Sequence, residues 1–409
     1  MDQYVHRMLD SGVEFAAVLL PGRRTAAIEF QVLSGMADEP DDKLGLAHLV
    51  EQTISKGTRR RDARALADAF DSLGARRSSW VGRETYGFAC LCLPQFLPQV
   101  IELHAEMLRQ PVFPDQACRV AIDLARQELT ALHDEPLELL RKLLARQAYG
   151  PRLGRHHLGE PDTLARIDPD EIRNHWARHF CAGRLQVAVA GPVEPDRLAS
   201  QLDRAFGGFG SPSPAGRQPQ PLQFSSTRTH HPQQLEQQYI GICFPGVPVD
   251  HPDHPVERVL IGILSGGMSA RLFTEIREKQ GLVYWVGAWH EHPRAAGMIH
   301  LGASTVPQRC DQTLAALLNE IDRLSDDLTE AELSRAITGI VARTQTRGET
   351  THARATELAD DLFYYGHPVP IEDKLRQVQQ VDIPRIKRYL TDHPRDQLCV
   401  VTLGPRALS

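Results

Sequence analysis

The chain has no pair of cysteines in a C-x-x-C spacing: Cys90, Cys92, Cys118, Cys181, Cys243, Cys310 and Cys399 are scattered and odd in number. That argues against a zinc knuckle and a dithiol redox motif. Most of the seven lie among Ala, Leu, Val and Phe, so buried free thiols are expected. No apolar run approaches the roughly 20 residues that cross a bilayer, and no membrane role is expected. There is no basic excess either: the formal net charge is -6 and no polybasic tail is present, which argues against a nucleic-acid partner. Residues 1–11 carry Asp2, His6, Arg7 and Asp10 in place of the apolar core of a signal peptide, so a cytoplasmic location is expected.

What is there is a soluble, globular composition, 42% hydrophobic and 24% charged over 409 residues, long enough for two domains with a core each. Apolar runs at 13–20 and 25–33, broken by Pro21-Gly22, predict neighbouring strands. Amphipathic patterns predict helices at about 44–55, 61–73, 95–109, 115–133, 136–148 and 196–206, with a strand pair at 77–93 and a strand at 185–190. Residues 207–226, rich in Gly and Pro, predict a linker between domains 1–206 and 227–409. The second half repeats landmarks of the first. Gly191-Pro192 recurs at Gly404-Pro405, Asp168-Pro169 at the Asp382 to Pro384 turn, and Tyr149-Gly150 at Tyr365-Gly366, all at separations of 213 to 216 residues. One near-constant offset at three landmarks points to a duplicated domain. The expected fold class is α+β, two homologous domains each built from a sheet with helices packed mainly on one face.

The stretch from Gly45 to Thr58 carries the chemistry. His48, Glu51 and Gln52 stand at i, i+3 and i+4 and so share one helix face. The spacing is one residue away from the inverted zinc-peptidase pattern H-x-x-E-H, with Gln52 in place of the second histidine. A peptidase zinc needs three protein ligands and an open position for water. His48 suits a first ligand, and Glu51 is placed as general base. Glu128 and Glu135, seven residues apart, return to within about 20° of each other on a helix of ~3.6 residues per turn. One face there is expected to offer two carboxylates.

Gly45 to Thr58, Glu128 with Asp134-Glu135-Pro136, the Tyr149-Gly150 turn, and the block Ser269 to Tyr284 with its Gly266-Gly267-Met268 lead-in together resemble the pitrilysin/insulinase family of zinc peptidases, in its bacterial processing-peptidase-like branch. The resemblance covers nearly the whole chain. It implies that His48 and Glu135 are zinc ligands, that Glu51 activates water and that Glu128 supports the site as a second catalytic carboxylate. Gln52 then occupies the remaining ligand position. It also implies that Arg277 and Tyr284, in the second half, hold the substrate backbone and stabilise the tetrahedral intermediate, a task suited to a guanidinium and a phenol. The substrate class it implies is a peptide or unfolded protein bound as an added strand, inside a homo- or heterodimer with a family paralogue.

The amide oxygen of Gln52 is a weaker ligand for Zn2+ than imidazole, so weak or absent zinc is expected. The first reading is therefore a catalytically impaired subunit acting with a catalytic partner. An active zinc endopeptidase using His48, Glu135 and Gln52 or a water is the second, and a non-enzymatic peptide-binding or structural subunit the third. His156-His157, His230-His231 and His290-Glu291-His292 are expected to be solvent-exposed and not metal sites.

Overall fold

A computed structural model describes residues 2–210 and 218–408. Residues 211–217 of the predicted linker lie outside the described residues. The chain forms two compact units, each assembled from separate stretches. The first takes the chain up to Ala131 with Arg155–Gln220 and Arg347–Val369; the second takes Leu132–Gly154, Pro221–Thr346 and Pro370 onward.

In the first unit six strands, β1 (Gln3–Met8), β2 (Glu14–Leu19), β3 (Ala26–Val32), β4 (Arg76–Val81), β5 (Tyr86–Cys92) and β6 (Leu185–Gly191), pair in the order β1-β2-β6-β3-β5-β4. In the second, β7 (Arg228–Pro232), β8 (Gln238–Gly246), β9 (Val283–Glu291), β10 (Gly297–Thr305) and β11 (Cys399–Gly404) pair in the order β7-β11-β8-β10-β9. Leave out β1 and the orders coincide, with β6 and β11 each pairing parallel to one neighbour and antiparallel to the other. The repeat is structural as well as sequential. Asp168 and Asp382 each cap a helix by accepting from the N–H three residues on. Gly191 and Gly404 end the matching strands at φ +152° and +147°, a region that favours glycine.

Each sheet is covered by a helix from elsewhere in the chain. The sequence split at 207–226 assigns 132–154 to the first half and 347–369 to the second; each packs in the opposite unit. Helix Thr351–Tyr364 lies on β2, β3 and β6 of the first sheet. Its Ala355, Leu358, Ala359 and Leu362 form an i, i+3, i+4, i+7 stripe against Ala16, Val18, Ala27, Ala188 and Ala190. The small sheet residues let the helix come close. Helices α1 (Leu46–Thr53), α2 (Ala63–Asp71), α3 (Leu97–Arg109), α4 (Asp115–Ala131) and α5 (Pro136–Ala148) follow in chain order. The last of these packs on β8 and β11 of the second sheet, where Leu140 and Leu144 lie so near Gly241 that an added Cβ would come within 3.3 Å of either.

The local structure departs from the simple sequence pattern in three places. The helix expected over 115–133 stops at Ala131, a 3-10 turn spans Leu132–Asp134, and Glu135 is the N-cap residue of α5. Pro136 enforces the break, since a proline opens a helix far more readily than it continues one. Glu128 and Glu135 therefore do not share a helix face. Ser269 does not cap the following helix, which is a π-helix over Leu272–Lys279 preceded by Arg271. The region topologically equivalent to the motif helix is His254–Ser265, which follows β8 as α1 follows β3; the Ser269 block takes the place of α2. Finally, β1 has no apolar alternation to announce it, being half-buried or exposed along its length, and edge pairing with β2 holds it.

Candidate functional site

The motif helix is fixed at its start by Glu39. This carboxyl is 2% exposed and its Oε1 accepts from the N–H groups of Gly45 (3.1 Å) and Ala47 (2.7 Å). It thereby satisfies two of the donors a helix leaves unpaired at its N-terminus. Gly45 sits at φ +98°, and a Cβ there would meet Leu164 Cδ2 at 2.8 Å. Arg155 braces the same loop by donating to the carbonyls of Met36, Ala37 and Glu39. Burial pushes the Glu39 carboxyl up to about 8, against the two backbone donors that pull it down. A carboxyl raised in the folded state stabilises fully below its unfolded value near 4.5 and loses that contribution as pH climbs through about 8. Glu39→Gln keeps an acceptor without the charge. Thermal melts between pH 6 and 9.5 should show a flatter decline for this variant than for the wild type; parallel curves would dismiss the role given to Glu39.

One turn into α1, His48 and Glu51 face the same side, with Nδ1 4.0 Å from Glu51 Oε2. His48 Nε2 lies 3.7 Å from Glu128 Oε2 on α4. Burial lowers the His48 pKa, partly offset by Glu51. Gln52 turns its amide Nε2 to donate to Glu51 Oε2 at 2.7 Å; the flipped amide would set two acceptors face to face. The hydroxyl of Ser79, on β4, donates to the other oxygen, Oε1. Both oxygens of the expected base are thus hydrogen-bonded by neutral donors. His157, half-buried, packs its ring 5.3 Å from that of His48, edge to face, so it does not stand in solvent as expected. Beside these groups opens a cavity of about 510 Å³, lined by His48, Gln52, Glu128 and the partly exposed Val120 and Leu124.

This donor set does not fit a peptidase zinc. The motif supplies one imidazole and, from Gln52, only a neutral amide oxygen, and among the described residues no three His, Cys, Asp or Glu donors form a group that could hold a metal. Glu135 is exposed and belongs to the second unit. So do Arg277 and Tyr284, which are brought together, the guanidinium carbon 5.8 Å from the Tyr284 ring centre and 4.9 Å from that of Phe273. Tyr284 is 74% exposed, and such a phenol at a strand start is available to a ligand. Sequence reasoning missed Ser79 and His157. Ser79 lies within the strand pair expected at 77–93, but nothing local marks its contact with Glu51.

Residues 15–161 match the family described as "Insulinase (Peptidase family M16)" and residues 166–340 match "Peptidase M16 inactive domain". The chain belongs to the pitrilysin/insulinase-type M16 peptidase family. Its relatives include an uncharacterized zinc protease of Streptomyces coelicolor, 26% identical over 97% of this chain and 88% of that protein. An uncharacterized zinc protease of Bacillus subtilis is 24% identical over 92% of each chain. Among solved structures the fold is shared with a protease from Helicobacter pylori, TM-score 0.89 at 16% identity over 99% of this chain and 100% of that one. It is likewise shared with a protein from Pseudomonas fluorescens titled a peptidase M16 inactive domain, TM-score 0.88 at 19% identity over 100% of this chain and 99% of that one. No helix among the described residues is long and apolar enough to cross a membrane.

Proposed function

We propose that the chain is a subunit of an M16 peptidase whose own zinc centre is degraded and which works beside a catalytically complete paralogue in peptide cleavage. One observation carries this reading: the Gln52 amide that replaces the second histidine donates to Glu51 at 2.7 Å. The substitution removes a ligand and also occupies the base. Each oxygen of the Glu51 carboxylate already accepts from one neutral donor, Gln52 or Ser79, so a water has to compete with them for its place. Arg277 and Tyr284 remain in contact with each other and reachable from solvent, which suits them to hold an extended peptide and to lend hydrogen-bond donors to a partner's reaction. The relatives named zinc proteases make Zn2+ the metal to test.

The decisive comparison uses purified wild type, His48→Ala and Glu51→Gln on unfolded peptides, with and without a chelator. The three proteins should share the same background cleavage, and His48→Ala should cost no bound zinc. Chelator-sensitive turnover in the wild type that disappears in Glu51→Gln would refute the reading and favour an active endopeptidase. Mixing with a paralogue that has an intact motif should raise turnover, and Arg277→Ala with Tyr284→Phe should remove that gain.

A further inference from the structure

The two units differ at one packed position. Helices Pro169–His179 and Ile383–Asp392 are equivalent, each opened by its capping aspartate, and the eighth residue after that cap is Trp176 in the first and Leu390 in the second. Helices Leu97–Arg109 and Cys310–Asp322 are equivalent as well: both have 13 residues, and each follows a 3-10 turn after the matching strand, β5 or β10. In the first unit these helices are joined through the indole. The Trp176 N–H donates at 3.0 Å to the carbonyl of Leu108, the last residue but one of its helix, and the ring centre lies 5.9 Å from that of Phe113. The residue matching Leu108 is Ile321. Leu390 is half-buried and brings no indole toward it. Instead a cavity of about 220 Å³ opens between these same two positions, lined by Phe244, Leu260, Leu264, Ile299, Ile321 and Leu390.

The cavity also has one polar handle. Arg395 borders it, with a side chain only 17% exposed. Its Nη2 donates to Asp322, while its Nη1 is buried and has no hydrogen-bond partner among the described residues. The other polar side chains of the lining are engaged. Ser325 donates to the Asp322 carbonyl and to the Asp326 carboxylate, Tyr389 donates to Glu257, and His393 Nε2 lies 3.9 Å from Asp253. A buried N–H of a charged group left without an acceptor is costly. A single water answers it poorly where the remaining walls are apolar, because an ordered water needs two to four polar partners of its own. A dry apolar cavity of about 150 Å³ takes up benzene, so the larger volume here suits a bicyclic ring.

We propose that this cavity of the second unit is a binding site for a small aromatic carboxylate of indole size. The ring takes the space that Trp176 fills in the first unit, and the carboxylate accepts from Arg395 Nη1, a charge-assisted bond of the stronger kind. An apolar pocket with one placed polar group is the usual make-up of a small-molecule site. The site lies wholly in the second unit, apart from the motif helix, and does not depend on the function proposed above.

The test is calorimetric titration of the full-length protein with indole-3-acetate and with indole, which has the ring and lacks the acceptor. Wild type and His48→Ala should each bind one indole-3-acetate per chain, and indole at least about 10-fold more weakly, the usual value of a hydrogen bond to a charged group. Leu390→Trp installs the side chain of the first unit; it should bind neither probe and, as a cavity-filling change, melt higher than wild type. Arg395→Met keeps the apolar stem without the donor and should lower the affinity for indole-3-acetate to that for indole. No saturable binding of either probe by wild type, or binding undiminished in Leu390→Trp, overturns the proposal. Equal affinity of wild type for the two probes, or no loss in Arg395→Met, overturns it too, and that variant decides alone if Leu390→Trp does not fold.

Discussion

Gln52→His should convert an inert or nearly inert chain into one with chelator-sensitive peptidase activity, raising turnover by about 100-fold or more over the wild type. The estimate takes the roughly 10–100-fold cost of losing an outer-shell partner as a lower bound for a missing ligand. Two effects act in the same direction. An imidazole at position 52 lies one turn from His48 on the same face and adds a nitrogen donor. The change also removes the amide that donates to Glu51 Oε2 at 2.7 Å, and with it one competitor for the place a water would take. Glu51→Gln on the Gln52→His background must return activity to background. Zinc content and cleavage of an unfolded peptide, measured side by side, separate the contributions: zinc gained without turnover would mean that ligation is repaired and the base is still restrained by Ser79. If Gln52→His is as inert as the wild type in both measurements, the deficit does not lie at this side chain.

Leu362→Ala should destabilise the first unit by about 2–5 kcal/mol, the usual cost of such a truncation in a packed interior. Leu362 is fully buried and sits at the end of the stripe that helix Thr351–Tyr364 lays on an alanine-rich sheet face. Small residues on one side leave little that can move to refill the space, which places the cost toward the upper part of the range. Because the chain has two compact units, one melting temperature will not report this cleanly. Hydrogen exchange resolved by segment will: protection in β3 should fall while that in β10 holds. Equal losses in both strands, or none in β3, would contradict the assignment of this helix to the first sheet.

The glycines and prolines made the strand and helix order legible, and the shared roles of Asp168 and Asp382, and of Gly191 and Gly404, explain why the repeat could be found. Such residues are dictated by local backbone geometry. His48, Glu51 and Gln52 could be placed on one face for the same reason. The contact of Ser79 with Glu51, the packing of His157 on His48 and the half-buried clustering of His290 with His292 were not legible, because each depends on which distant element packs against it. The break before Glu135 was half legible: Pro136 announced it, and the seven-residue spacing argued the other way. The exchange of α5 and helix Thr351–Tyr364 between sheets left no local mark, since an amphipathic stripe does not say which sheet it will cover.

That exchange bears on how the protein is made. When synthesis has passed Phe206, every strand of the first sheet exists, but the helix that covers β2, β3 and β6 has not been translated. At about 5–20 residues per second, the alanine-rich face waits roughly ten to thirty seconds for its cover. During that interval the nascent half is a ready client for chaperones, and a duplicated gene cut at its midpoint would yield two pieces, each missing a helix that the other retains.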